Sequence, residues 1–280
     1  MSRLQEKFAV AAAVVSALLM LIFLTLVFIP DRELQGVVSR ILEKKGYTFS
    51  AGEFGKSFPL GIAAKKIEVG DDRGPILKAD DLYIRLRILP LFIGQIRIAL
   101  DARIGSGEIN GEYASTGGGS ADLKIKRLQL EEVPFFKTVA GAAVKGDLTV
   151  GGNIKNLKKN AQGEIKLAVR GADMQGVKIG EMPLPDAAYH TVQGMLKFGS
   201  GKAALESFTL QGDGLFVRLK GDLPVGAAPA ATPLNLTLEL MPKPEFMEKQ
   251  KFVFLLLIKY LTSPGSYQIP IRGTLARPSI

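Results

Sequence analysis

The sequence predicts a mainly β protein of the α+β class. The expected order is an N-terminal transmembrane helix, an amphipathic helix, and a large curved antiparallel β-sheet, as a sandwich or an open trough, with a C-terminal helix. Three features predict this. An uncharged run of 22 residues, Phe8–Ile29, lies near the start of the chain. From Tyr47 onward, apolar and polar residues alternate with a period of two. Turn signals rich in glycine, which makes up 31 of the 280 residues, punctuate those runs.

The uncharged run would form a helix about 33 Å long, against a hydrocarbon core of about 30 Å. A secretory signal has a shorter apolar core and small residues at its cleavage site. This run ends Thr25-Leu26-Val27-Phe28-Ile29-Pro30 without them, so it reads as a retained anchor. Arg3 and Lys7 precede it, while Arg32, Arg40, Lys44 and Lys45 follow it. Counting cations alone would make the far side cytoplasmic. The short basic tail and the glycine-rich, cysteine-free β body argue for the opposite orientation, N-in and C-out, which is the one expected. Ala9, Ala13 and Ala17 share a helix face, which the frequency of alanine in such spans is enough to explain.

Pro30-Asp31 stops the span and offers a helix cap. Leu34, Val37, Val38, Ile41 and Leu42 then follow helical spacing, and Gly46 ends the segment, predicting an amphipathic helix over Asp31–Lys45. The expected organisation is a cytoplasmic stub 1–7, a span 8–29, a juxtamembrane helix 30–46 and a β-rich domain 47–280.

Five runs show the strand pattern: Leu82 to Ile88, Ile96 to Asp101, Ile165 to Arg170, Leu215 to Lys220 and Leu234 to Leu240. Each sets one apolar face against one wet face, as antiparallel strands do. Gly74-Pro75, Gly105-Ser106-Gly107, Gly151-Gly152-Asn153, Gly199-Ser200-Gly201 and Gly212-Asp213-Gly214 read as the turns between such strands. Ser115–Ser120 and Pro224–Pro233 read as loops. Helices are expected over Pro134–Val144 and Lys243–Thr262, and a last strand over Tyr267–Leu275.

The absence of cysteine removes disulfides, thiolate nucleophiles and thiolate metal sites. His190 is the only histidine, so no multi-histidine metal site exists. Asp186 and His190 would share a face if Pro185–Leu196 were helical, but no Gly-x-Ser-x-Gly elbow presents a serine to them. Gly141–Gly146 has phosphate-loop spacing but continues as Asp147, and Gly105, Gly107 and Gly111 miss the dinucleotide spacing. Asp71-Asp72 and Asp80-Asp81 read as turn formers in or beside turns, and Glu131-Glu132 as acidic residues at a helix start. The expectation is therefore a protein that is not an enzyme, with no catalytic, cofactor-binding or metal residues and no cofactor. The formal charge of +9 favours anionic partners. The cations are spread along the strands without aromatic clustering, so no nucleic acid partner is expected.

Ile62–Gly111, with KKIEV, PILKADDLYIRLRILPLFIGQIRI and GSGEING, resembles the AsmA-like periplasmic proteins. PLNLTLELMPKPEF, LLLIKYL and the ending YQIPIRGTLARPSI resemble the type II secretion system protein N family, a likeness that extends over nearly the whole chain. Membership of that family implies a non-enzymatic scaffold or interaction protein of the type II secretion machine. It would be held in the bacterial inner membrane by residues 8–29, with its body in the periplasm and other type II secretion system proteins as partners. The AsmA-like half implies the alternative: a lipid-binding or lipid-transfer protein whose apolar groove holds anionic lipid or acyl chains.

Overall fold

The computed structural model describes residues 28–179, 182–223, 233–274 and 278–280. The span 8–29 falls almost wholly outside these residues, as does most of the Pro224–Pro233 loop. Among the described residues no helix is long and apolar enough to cross a membrane.

Helix α1 (Asp31–Glu43) leads into β1 (Thr48–Ser57), β2 (Gly61–Asp71) and β3 (Gly74–Leu86). After the single turn α2 (Ile88–Leu91) come β4 (Arg97–Ile104), β5 (Gly107–Ala114) and β6 (Ser120–Gln129). Helix α3 (Phe135–Ala140) precedes β7 (Ala143–Lys155) and β8 (Gln162–Gln175). The small strands β9 (Lys178–Ile179) and β10 (Met182–Pro183) form a separate pair. Then follow β11 (Ala187–Gly199), β12 (Lys202–Gln211), β13 (Leu215–Leu223) and β14 (Asn235–Pro242). Helices α4 (Pro244–Lys249) and α5 (Lys251–Leu256) lead to β15 (Leu261–Ser263), β16 (Ser266–Gly273) and β17 (Pro278–Ser279).

Among the described residues all strands but β9 and β10 belong to one 15-stranded antiparallel sheet. Its order runs β1 to β8, then β11 to β14, then β16 and β15, with β17 paired to β16. Consecutive strands pair from β1 to β8 and again from β11 to β14, as a meander of short turns requires, while β8 pairs with β11 past the separate β9–β10 pair and β16 lies between β14 and β15. The protein is mainly β, with one large antiparallel sheet and few helices.

Several local expectations need correction. Pro185–Leu196 is not a helix, because Ala187–Gly199 pairs as β11 with both β8 and β12. The segment 243–262 is not one helix but two, broken at Gln250 (φ −119°, ψ 34°) and followed by a 3-10 turn over Ile258–Tyr260. The cause is tertiary: the Gln250 amide hydrogen-bonds the main chain of Asp186 through both its oxygen and its nitrogen. Gly151-Gly152-Asn153 lies within β7 rather than in a turn, paired to β6 and β8 on either side. Asp80-Asp81 lies within β3, where Asp81 pairs with Arg103 and Asp80 accepts the Gly105 N–H. Helix α3 is shorter than Pro134–Val144, because Gly141 (φ +61°) caps it and Ala143 already belongs to β7.

The two halves of the sheet differ in packing. From β7 onward one contiguous core is buried, including Val169, Val192, Leu215, Leu240 and Ile269. Phe254 of α5 and Leu257 close over it, and the Phe254 ring stacks 5.3 Å from Tyr267 and 6.1 Å from Phe246. In β2 to β6 the equivalent apolar side chains are mostly only half-buried.

Candidate functional site: a continuous apolar face

The register places apolar residues in rungs that run from β2 to β16, while on the edge strand β1 the partner of Ile62 is Lys56. One rung runs Ile62, Ile84, Leu100, Gly111, Leu123, Gly152, Ile165, Leu196, Leu205, Gly221, Leu236 and Ile271, each paired with the next. A parallel rung, two residues away on most strands, runs from Ala64 and Leu82 through Ile109, Ile125, Val150 and Leu167 to Leu238 and Ile269. No charged residue occurs in either rung. Period-two alternation in each strand, held in register by short turns, sends all these side chains to one face.

Strict alternation would fail where two polar residues adjoin, and β-bulges preserve the face there. Lys126-Arg127, Arg170-Gly171 and Glu206-Ser207 are all exposed, and the pairing register with a neighbour shifts at each. Arg127 (φ +52°) and Gly171 (φ +59°) take the left-handed conformation that a bulge of this kind uses. The flanking pairs Ile125 and Leu128, Val169 and Ala172, and Leu205 and Phe208 therefore remain on the apolar side.

The opposite face is charged and largely neutralises itself across strands. Lys65 stands 2.7 Å from Glu53, Lys78 2.9 Å from Glu68, Arg127 3.1 Å from Glu108 and Lys197 2.7 Å from Glu206. Hydrogen bonding by Lys65 holds the Glu53 carboxyl below its ordinary value, and Glu53 in turn raises Lys65. Lys166 lowers Glu164 in the same way. Exposed pairs of this kind each contribute little to stability, so they define the wet face rather than hold the fold.

At one end of the sheet the apolar face deepens into a cavity of about 470 Å³. Leu34 of α1, Lys56 and Ser57 at the end of β1, the Phe58-Pro59-Leu60 turn, and Gly61, Ile62, Ile84, Leu86 and Ile98 line it. Its size lies within the range of small-ligand sites, and its lining is predominantly hydrocarbon, with Lys56 and Ser57 as the polar members. The two turns at its rim are joined by the Leu86 N–H donating to the Leu60 carbonyl at 2.8 Å.

The polar candidates lie elsewhere. His190 is on the charged face of β11, and its Nε2 is 2.8 Å from Asp213, not Asp186. That hydrogen bond lowers the Asp213 carboxyl. Asp186 instead accepts the Gly176 N–H at 2.7 Å. Gly141–Gly146 is a helix C-terminus running into a strand, so no helix N-terminus faces a phosphate there. Asp71 closes the β2–β3 turn through Arg73. Glu131 accepts the Gly146 N–H at 3.2 Å. Among the described residues no three His, Cys, Asp or Glu side chains are grouped to hold a metal. Sequence reading missed the cavity. Its only signal was apolar residues within a turn, in Phe58-Pro59-Leu60.

No protein-family model, curated protein or solved structure matches this chain.

Proposed function

We propose that this protein is a non-enzymatic, membrane-anchored carrier or conduit for acyl chains, and that its curved sheet forms a trough open along the N-terminal half. The observation that carries this reading is the incomplete burial of the large apolar side chains along the rungs in β2 to β8, where only the small Ala64 is fully buried. Ile84, Leu100, Leu123, Ile125 and Ile165 are only half-buried, although nothing but apolar residues neighbours them along each rung. A sheet that merely needed a core would cover that face, because each fully buried aliphatic side chain stabilises a fold by about 1.5–3 kcal/mol. An acyl chain laid along the rungs would cover it. The net charge of +9 and an anchor at residues 8–29 suit an anionic lipid headgroup and a bilayer source.

The test is to purify the full chain in detergent, exchange it into lipid vesicles, re-isolate it and extract what remains bound. Phospholipid or fatty acid bound in a fixed ratio, and lost when Ile84 and Leu100 are both changed to Asn, is the expected result. A chain that carries no lipid and exchanges none between vesicles overturns it.

A second reading keeps the body as a docking component of a type II secretion machine in the periplasm. It is favoured by the filled core under α4 and α5, together with the exposed Phe252, Leu255 and Ile258 beside that core. Deleting the gene separates the two readings. Loss of secreted enzymes with an intact outer membrane supports docking, whereas normal secretion with a leaky outer membrane supports lipid transport.

A further inference from the structure

Large apolar side chains are exposed together at the same end of the sheet as the cavity. Phe58 in the β1–β2 turn is 84% exposed; in the β3–β4 loop Leu89 is 82%, Phe92 56% and Ile93 71% exposed. The pairings Ser57 with Gly61, Gly61 with Arg85, and Leu86 with Ile98 put both segments at one edge of the molecule. Apolar clusters of this kind on a protein surface mark contact with a membrane or another protein.

The chain itself indicates which. Helix α1 begins at this end: Asp31 lies 3.7 Å from Lys56, and the Lys56 ammonium donates to the Ile29 carbonyl at 2.9 Å. Phe28 beside it is 79% exposed. The uncharged run Phe8–Ile29 therefore ends within a few residues of the cluster, so a bilayer spanned by that run has its surface at this edge. Arg32, Lys56, Arg85 and Arg87 lie close in sequence to these segments, with Lys56 near Asp31, Arg85 beside Asp101 and Arg87 3.1 Å from Glu112, and cations beside apolar tips suit phosphate headgroups. Pro59 and Leu60, in the same turn as Phe58, line the cavity mouth.

We propose that Phe58 and the Leu89–Ile93 loop form a lip that inserts into the hydrocarbon of the bilayer holding residues 8–29, and that an acyl chain passes over this lip into the cavity. The first half of the statement rests on the anchor reading of residues 8–29 and the second on the trough reading. The partner is a phospholipid leaflet rather than a protein, because the anchor holds the lip against that leaflet.

The absence of native cysteine makes the test clean. Phe58→Cys and Phe92→Cys, with Asp213→Cys in a turn at the opposite end as control, would each be labelled with an environment-sensitive dye. The full chain is then placed in vesicles of phosphatidylethanolamine and phosphatidylglycerol. The two lip dyes should shift to the blue and be quenched by nitroxides on the acyl chains, while the control dye is quenched by aqueous iodide. Lip dyes as open to iodide as the control, or shielded only after a protein partner is added, overturn the lip. Phe58→Ser with Phe92→Ser should slow the loading of a fluorescent fatty acid from vesicles by about tenfold, with saturation loading unchanged. Both residues are exposed, and an unchanged thermal transition verifies folding. Loading at the wild-type rate would overturn the entry route. Buried lip dyes in a chain that loads no fatty acid would leave the lip standing and defeat the trough reading instead.

Discussion

The Lys220 ammonium lies 2.6 Å from a carboxylate oxygen of Glu239, and Glu239 is the one charged side chain that is buried among the described residues, at 4% exposure. By alternation Glu239 belongs to the wet face of β14, between Leu238 and Leu240 on the apolar face. Its carboxylate is covered there by Lys220 and by Arg218, whose guanidinium is 3.3 Å from the other oxygen. Both cations are about half exposed, so the pair is desolvated on one side only. Glu239→Ala is expected to destabilise the protein by about 1–3 kcal/mol, because it leaves two neighbouring cations without their shared acceptor. Lys220→Ala should cost less, since Arg218 still compensates the carboxylate. Thermal unfolding of the three proteins checks the order, and equal losses would count against a shared carboxylate.

Leu236 and Thr237 test the two faces of the same strand. Leu236 is 6% exposed and paired with Ile271, whereas Thr237 is half-buried on the other face opposite Lys220. Leu236→Asp should cost several kcal/mol, because an unpaired carboxylate would be buried (the transfer penalty for a neutral polar group alone is about 2–7 kcal/mol). Thr237→Asp should lie within about 0.5 kcal/mol of wild type, because residue 237 is only half-buried on the wet face. Denaturant midpoints for the two variants decide the assignment.

Two glycines on the apolar face should respond oppositely to a methyl group. A Cβ at Gly194 would stand 2.7 Å from the Phe208 ring and 3.0 Å from Leu167. At Gly111 the nearest atom, Leu100 Cβ, is 3.7 Å away. Gly194→Ala should therefore lose about 1–3 kcal/mol through overpacking, while Gly111→Ala should be neutral or slightly stabilising. The same unfolding measurements apply.

The β2–β3 turn carries a pH dependence of known sign. Hydrogen bonding from the Arg73 guanidinium, 2.6 Å away, is the largest effect holding the Asp71 carboxyl below its ordinary value, and the Arg73 backbone N–H adds to it. A carboxyl lowered in the folded state stabilises that state above the ordinary carboxylate value. The contribution is lost as pH falls through the lowered value. NMR titration should give Asp71 a midpoint below that of an unpaired aspartate. Arg73→Ala should raise it part of the way, since the backbone N–H at residue 73 still donates to Asp71, and Asp71→Asn should remove this part of the acid dependence.

Much of the architecture is legible in the residue pattern. In β3, β8, β13 and β14 the predicted apolar positions lie on one face, because a half-covered antiparallel strand requires a period of two. The amphipathic helix is present over Asp31–Glu43, ending two residues short of the expected Lys45 because Lys44 to Gly46 already turn. The failures fall where a distant contact overrode local pattern. Gly151-Gly152-Asn153 has the composition of a turn, yet strands on both sides pair with it. The segment after Pro242 has helical spacing, but its break at Gln250 depends on Asp186, 64 residues earlier.

The sequence by itself determined that the body is a long series of one-sided antiparallel strands, because alternation and turn chemistry are local properties of the chain. It also determined that cysteine chemistry and multi-histidine sites are absent, because those follow from residue counts. Only the tertiary structure decided that the strands join into one sheet rather than two facing ones. The same alternation serves either arrangement, and the choice rests on which strands share hydrogen bonds. The tertiary structure also decided where the apolar face is covered and where it is not. Residue pattern specifies which side chains avoid water, while the register between strands, and the docking of α5 over β13 to β16 but not over β2 to β6, set whether protein fills the space in front of them.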